Sequence, residues 1–207
     1  DQVEACIPQK HADLFHMPYG LNGFYDLEEG LACARATGKP VLIDFKGHFC
    51  SNCKRMEAAV WSDPEVLNTL RNEYVIVALY TDDRTKLPES EWYTSEVDGK
   101  VKKTIGQQNI DFEIANFQTN TIPLYVIMDA DGNVVGDPKG TDLDVQSFYA
   151  VWDDLGAPEV REYLERYWAH QAAYRQASAR WTVSPWPPGK RSWGMWTPRC
   201  SPLRPAR

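Results

Sequence analysis

Three short, mostly apolar runs, 41–45 (interrupted by Asp44), 74–80 and 124–128, are separated by stretches whose apolar positions recur every three or four residues. Apolar runs bounded by Gly and Pro predict buried strands, and the three-to-four spacing predicts helices with one buried face. Leu27, Leu31 and Ala34 form such a stripe, with Asp26 and Glu29 as a capping box and Gly38 as its stop. After the strand 41–45, Lys54-Arg55-Met56-Glu57-Ala58-Ala59 consists mostly of good helix formers. Ser62-Asp63-Pro64-Glu65 predicts a helix restart with Ser62 as N-cap and Val66, Leu67 and Leu70 as its apolar face. The run 74–80 reads as a central strand covered on both faces. Helix, strand, helix, strand in succession implies a parallel pair with a right-handed crossover.

Residues 82–104 interrupt this order. Asp98-Gly99, between the segments 91–97 and 100–104, predicts a two-residue hairpin turn in an inserted arm. A short helix around 108–117 is expected next, with Ile110, Ile114 and Phe117 on one side. The strand 124–128 then turns at Asp131-Gly132 into a fourth strand, 133–135. Thr141 or Asp142 can cap a last helix that offers Leu143, Phe148, Val151, Trp152 and Leu155 for burial and stops at Gly156. The expected fold class is therefore α/β, a central mixed sheet of four or five strands flanked by helices. It has an irregular lead-in over 1–23, a domain over 24–156 with the insertion at 82–104, and an extension over 157–207.

Composition narrows the function. The 207 residues are 43% hydrophobic, enough for a real core, and no run approaches the roughly 20 apolar residues of a membrane span. The net charge of -7 argues against nucleic acid or an anionic membrane as the main partner. That charge is uneven: residues 156–207 hold 9 Lys/Arg against 3 Asp/Glu, a balance of +6, which leaves -13 on residues 1–155. The Pro-, Arg- and Trp-rich end from Ser184 shows no period and predicts loose packing, with Cys200 as an exposed thiol. A start at Asp1, without Met or a signal-like segment, is expected of a processed product or an excised piece.

Five cysteines, of which only Cys50 and Cys53 are close, do not form a disulfide scaffold. Cys33 reads as a small core residue; a bridge to Cys6 is possible without positive support. A zinc site would need two further ligands, and Cys6, His11 and His16 read as scattered surface residues. No metal and no cofactor is expected beyond a redox-active Cys50–Cys53 disulfide.

The pair falls where a strand hands over to a helix, which places the first sulfur among exposed N–H groups that favour a thiolate. Cys50 is the expected nucleophile, and Cys53, one helical turn on, can attack a mixed disulfide and release the partner. Asp44, on the strand before, is the candidate to take the Cys53 proton, since burial raises a carboxyl's pKa. Pro123, after Ile122, could supply a cis peptide that turns extended backbone toward the sulfurs.

Val41-Leu42-Ile43-Asp44-Phe45, Cys50-Ser51-Asn52-Cys53-Lys54 and Thr121-Ile122-Pro123 together resemble the thioredoxin superfamily. Gly38-Lys39-Pro40, Arg55-Met56-Glu57 and Trp61-Ser62-Asp63-Pro64-Glu65-Val66 extend the likeness to the family of C-terminal thioredoxin-like domains of DsbD, over about residues 20–155. The resemblance implies a thioredoxin-like fold, with Cys50 attacking, Cys53 resolving, Asp44 handling protons and Pro123 as cis-proline. It also implies a periplasmic domain that takes electrons from a membrane-embedded partner domain and passes them to protein thiols. Phe49 and Ser51-Asn52 stand where thioredoxin has Trp and Gly-Pro, so with Ile122 they are expected to shape partner docking. The expected activity is protein-disulfide reduction. The alternatives are a disulfide oxidase or isomerase on the same fold, or a non-enzymatic binding module.

Overall fold

The structure, a computed structural model, describes residues 6–145. Helix α1 (Leu27–Thr37) leads into strand β1 (Val41–Lys46), then α2 (Ser51–Met56), which continues as a wider π-type turn over Glu57–Trp61. Helix α3 (Pro64–Glu73) and strand β2 (Val75–Tyr80) follow, then the short strands β3 (Tyr93–Thr94) and β4 (Val101–Lys102). Helix α4 (Ile105–Phe117) and strands β5 (Leu124–Met128) and β6 (Val134–Lys139) complete the described order.

The main sheet has the order β2-β1-β5-β6, with β1 parallel to β2 and antiparallel to β5. All six residues of β1 are buried, so its two-residue alternation divides a core on both faces. Val41, Ile43 and Phe45 pack with Leu31, Val77 and Phe112 on one side. Leu42 packs with Met56, Trp61 and Leu70 on the other. The same alternation sends Asp44 and Lys46 to the side of Leu42, under α2. This mixed α/β sheet flanked by helices is the expected fold class.

Several local expectations change. β2 is an edge of the four-stranded sheet, not a central strand, yet all its residues are buried. The lead-in and the residue after it supply the cover: the Phe24 N–H donates to the Ile76 carbonyl at 2.8 Å, and the Ala78 N–H donates to the Phe24 carbonyl at 2.8 Å. Phe15, Leu21 and Phe24 are buried, so this segment is part of the core. It is also bonded covalently. Cys33 is joined to Cys6 by a disulfide with Cα atoms 4.7 Å apart, which replaces the reading of Cys33 as a plain core residue.

Asp26 caps α1 by accepting the N–H groups of Glu28 and Glu29. Glu29 does not close the capping box; its carboxylate accepts the N–H groups of Gln9 and Lys10 instead. The N-cap of α3 is Asp63 rather than Ser62, whose hydroxyl donates to the Ala58 carbonyl at 2.7 Å. One residue decides between them, because only Asp63 lies two and three positions before free helix-start N–H groups.

The inserted arm has no two-residue hairpin turn. Its strands are two residues each, paired Tyr93↔Lys102 and Thr94↔Val101, so the connection is 95–100. Side chains shape it: Ser95 accepts the N–H groups of Val97 and Asp98 and donates to Asp111 of α4 at 2.6 Å. Tyr93 also donates to Asp111, and Lys102 sits between Asp98 and Asp111. The arm is anchored to α4. That helix starts at Ile105 under a Thr104 cap, earlier than expected, and buries Ile105, Phe112 and Ala115 while Ile110, Ile114 and Phe117 are half-buried. β6 continues to Lys139, beyond the expected 133–135. Asp142 accepts the Asp144 N–H at 3.0 Å. Leu143, expected to be buried, is exposed, and the expected last helix beyond residue 145, its stop at Gly156 and the extension with Cys200 lie outside the described residues.

Candidate redox site

Cys50 is the N-cap of α2, and its Sγ accepts the Cys53 N–H at 3.1 Å. The two cysteines form a disulfide with Cα atoms 5.3 Å apart. Their exposure differs: Cys50 is half-buried, whereas Cys53 is buried against the core side of α2. Only the first sulfur can be reached from outside, which is the asymmetry an attacking and a resolving thiol require.

Across from Cys50 lies the loop before β5. The Ile122–Pro123 peptide is cis, and Cys50 Sγ stands 3.7 Å from the Ile122 carbonyl oxygen. Phe49, immediately before the nucleophile position, is 91% exposed, and Ser51 and Asn52 are exposed beside it. Cys50, Phe49, Ser51, Asn52 and Ile122 therefore share one end of the sheet.

Asp44 is buried in β1, and its Oδ2 contacts Lys46 Nζ at 3.1 Å while its Oδ1 has no hydrogen-bond partner among the described residues. Burial pushes its pKa up; the Lys46 ammonium opposes that rise, and Glu57 adds to it. Lys46 is buried too, and it also donates to Glu57 Oε1. Burial alone would lower the lysine's pKa, but Asp44 and Glu57 together raise it above its ordinary value, so it stays charged. Its ammonium lies 5.5 Å from the Trp61 ring and 5.7 Å from the Tyr80 ring, within cation–π range. One cation thus serves two carboxylates, and Glu57, at 23% side-chain exposure, is the one that reaches water.

Lys46 and Glu57 were not among the expected site residues. A lysine two positions after Asp44 in an otherwise apolar strand points to the same face as Asp44, and that was the available signal. Asp82 and Asp83, which hold the loop before Cys50, carried no signal at all; they lie more than 30 positions away from it. Among the described residues, no group of three or more His, Cys, Asp and Glu side chains is placed to hold a metal ion. No described helix is long and apolar enough to cross a membrane.

The mixed sheet and the Cys50–Cys53 pair support the class of thiol–disulfide oxidoreductases. The family model described as thioredoxin-like matches residues 23–130, and the chain belongs to that family. A curated relative, the thiol:disulfide interchange protein DsbD of Ralstonia nicotianae, is 34% identical over 58 residues, which are 28% of this chain and 10% of that protein. The chain therefore spans about a tenth of the length of that relative. Among solved structures, the DsbH oxidoreductase aligns at 15% identity and TM-score 0.47, covering 74% of this chain and 96% of that one. The reduced C-terminal domain of Neisseria meningitidis DsbD aligns at 16% identity and TM-score 0.40, covering 62% of this chain and 92% of that one.

Proposed function

We propose that this chain is a periplasmic protein-disulfide reductase domain whose Cys50–Cys53 pair passes two electrons to partner disulfides. The observation that carries the reading is the unequal pair: Cys50 at the first position of α2, open beside Phe49 and the Ile122 carbonyl, and Cys53 buried behind it. In the dithiol form, the N–H groups at the start of α2 stabilise the Cys50 thiolate. That thiolate attacks a partner R–S–S–R′, forming Cys50–S–S–R and expelling R′–S⁻, which takes a proton from water. Cys53 then loses its proton and attacks Cys50 Sγ, closing the internal disulfide and releasing R–S⁻. The partner gains two electrons and the pair loses two.

Asp44 is the proton acceptor for Cys53 in this reading. Burial raises its pKa above the ordinary carboxyl value, which makes it a stronger base than an exposed aspartate, and Lys46 links it to Glu57 at the surface. The Ile122 carbonyl and the exposed Phe49 offer an extended partner a backbone acceptor and an apolar contact. The donor that re-reduces the pair is a second protein dithiol, in our reading a membrane-embedded domain. No cofactor is required. The Cys6–Cys33 bridge supports an oxidising compartment, where such bonds persist.

A Cys53→Ala variant mixed with a model protein disulfide tests the assignment. A stable adduct through Cys50, seen by mass spectrometry, is the expected result, and its absence overturns the exchange reading. Redox titration fixes direction. A midpoint of about -200 to -270 mV supports a reductase, and one near about -120 mV makes the domain an oxidant.

A further inference from the structure

We propose that Asp82 is the positioning residue of the exchange loop, setting the angle at which Cys50 meets a partner sulfur. The proposal deepens the exchange reading and rests on it. Asp82 follows β2 by two residues, and its carboxylate spans two consecutive backbone donors: Oδ1 accepts the His48 N–H at 2.9 Å, and Oδ2 the Phe49 N–H at 3.2 Å. Successive N–H groups converging on one anion form a compact, directional site, here filled by the protein's own carboxylate. The two residues it holds are the two that precede Cys50.

The neighbours of this clamp are equally specific. A Cβ on Gly47 would stand 2.8 Å from Asp82 Oδ2 and 2.9 Å from the Ile122 Cδ1. Glycine at 47 is thus what lets the carboxylate and the Ile122 side chain close on the loop from two sides. Asp83 continues the grip, with Oδ2 at 2.9 Å from His48 Nε2, and the His48 ring lies on Tyr80 with centroids 4.5 Å apart. Behind the clamp, the Thr81 N–H donates to the Lys46 carbonyl at 2.8 Å, and the Gly106 N–H to the Asp83 carbonyl at 3.0 Å. A Cβ on Gly106 would meet backbone atoms of Thr81 and Asp83 at 2.5–2.7 Å, so α4 starts directly on this segment. Asp82 is therefore held rigidly by elements outside the loop it orients, with β1 and α4 as the frame.

Two consequences separate orientation from mere support. A large partner must approach along one line, so a loosened loop should slow capture of a peptide disulfide while a small reagent still reaches the sulfur. Removal of the negative charge that Asp82 holds at the Phe49 N–H, one residue before Cys50, should also make the Cys50 thiolate easier to form. The experiment uses the full chain in the Cys53→Ala background, with Asp82→Asn and Asp82→Ala added separately. Capture of a peptide disulfide is timed by mass spectrometry, and iodoacetamide alkylation of Cys50 is followed across pH. We expect capture to slow at least about tenfold, alkylation above its midpoint to stay within about twofold, and that midpoint to move to lower pH.

Unchanged capture in both variants overturns the role of Asp82 and leaves the exchange reading intact. Equal slowing toward peptide and reagent, with no shift of the midpoint, reduces Asp82 to a structural support and also overturns the proposal. If the Cys53→Ala parent forms no adduct, the exchange reading fails first. Circular dichroism identifies folded variants. Should Asp82→Ala not fold, the isosteric Asp82→Asn, which keeps one acceptor oxygen, decides the matter.

Discussion

The two disulfides among the described residues are the same bond in two different settings. Cys6–Cys33 joins residues 27 positions apart and ties the lead-in to α1, with Cys33 buried in the core. Cys50–Cys53 joins residues 3 apart, at the end of the sheet, with Cys50 half-buried beside the exposed Phe49. In the chain-entropy account, the long loop contributes about 3.5 kcal/mol of stability and the short one about 2 kcal/mol. Each bond pairs one buried cysteine, Cys33 or Cys53, with one half-buried cysteine, Cys6 or Cys50, so what differs is the setting of the half-buried sulfur. Loop length and setting thus separate them: the long bridge has Cys6 packed against the core, and the short one has Cys50 at a helix start beside the Ile122 carbonyl.

Buried carboxyls repeat the contrast. Asp44 has a cation beside it and a route through Glu57 to water, whereas both carboxylate oxygens of Glu113 on α4 lack a hydrogen-bond partner among the described residues. Burial pushes the Glu113 pKa up to about 8. In our reading Asp44 has somewhere to send its proton, whereas Glu113, fully buried on α4, keeps its own at neutral pH.

Four measurements can break these pairings. The largest effect is expected for Cys50→Ala, which should lower disulfide reductase activity at least about 1000-fold, since the nucleophile itself is lost. Activity surviving that change would move the chemistry elsewhere. Replacing Cys6 and Cys33 together by Ala should lower the unfolding free energy by about 3.5 kcal/mol in urea titrations, with exchange rates retained below the new transition. If exchange is lost while the fold persists, the staple is part of the site. Asp44→Asn should slow release from the mixed disulfide by roughly 100-fold, read in single-turnover kinetics, because Cys53 loses its proton acceptor.

The last measurement concerns Glu113 and is read as a slope against pH. Its folded pKa lies above the ordinary 4.5, so the folded state holds a proton that the unfolded chain has released. The resulting stabilisation is full below about pH 4.5 and is lost as pH rises through about 8. The slope approaches about 1.4 kcal/mol per pH unit in that window. Unfolding at pH 5 and pH 8 should show it in the wild type, and Glu113→Gln should flatten it. An equal slope in both proteins would assign the pH dependence to other groups, Asp44 first, since its pKa shifts in the same direction.

What could be read along the chain is what depends on near neighbours. The apolar run 41–45 announces a doubly covered strand, Asp26 a helix start, and Cys50-Ser51-Asn52-Cys53 an exchange pair, because each signal is complete within a few residues. Even there, single-residue choices slipped: Asp63 rather than Ser62 caps α3, and side-chain bonds from Ser95 widen a turn that Asp98-Gly99 alone would have kept tight.

Contacts that close only when the sheet assembles were not legible. Lys46 meets Glu57 across 11 positions, Cys6 meets Cys33 across 27, and Asp82 meets His48 across 34. Cysteine, lysine and aspartate look the same in sequence whether they face water or one another. The amino-acid order alone determined the fold class and pointed to Cys50 and Cys53 as the candidate pair. Which charge sits by which, which cysteine is a staple, and what aims the loop were decided by strand register and helix packing, because those bring distant side chains within hydrogen-bond reach.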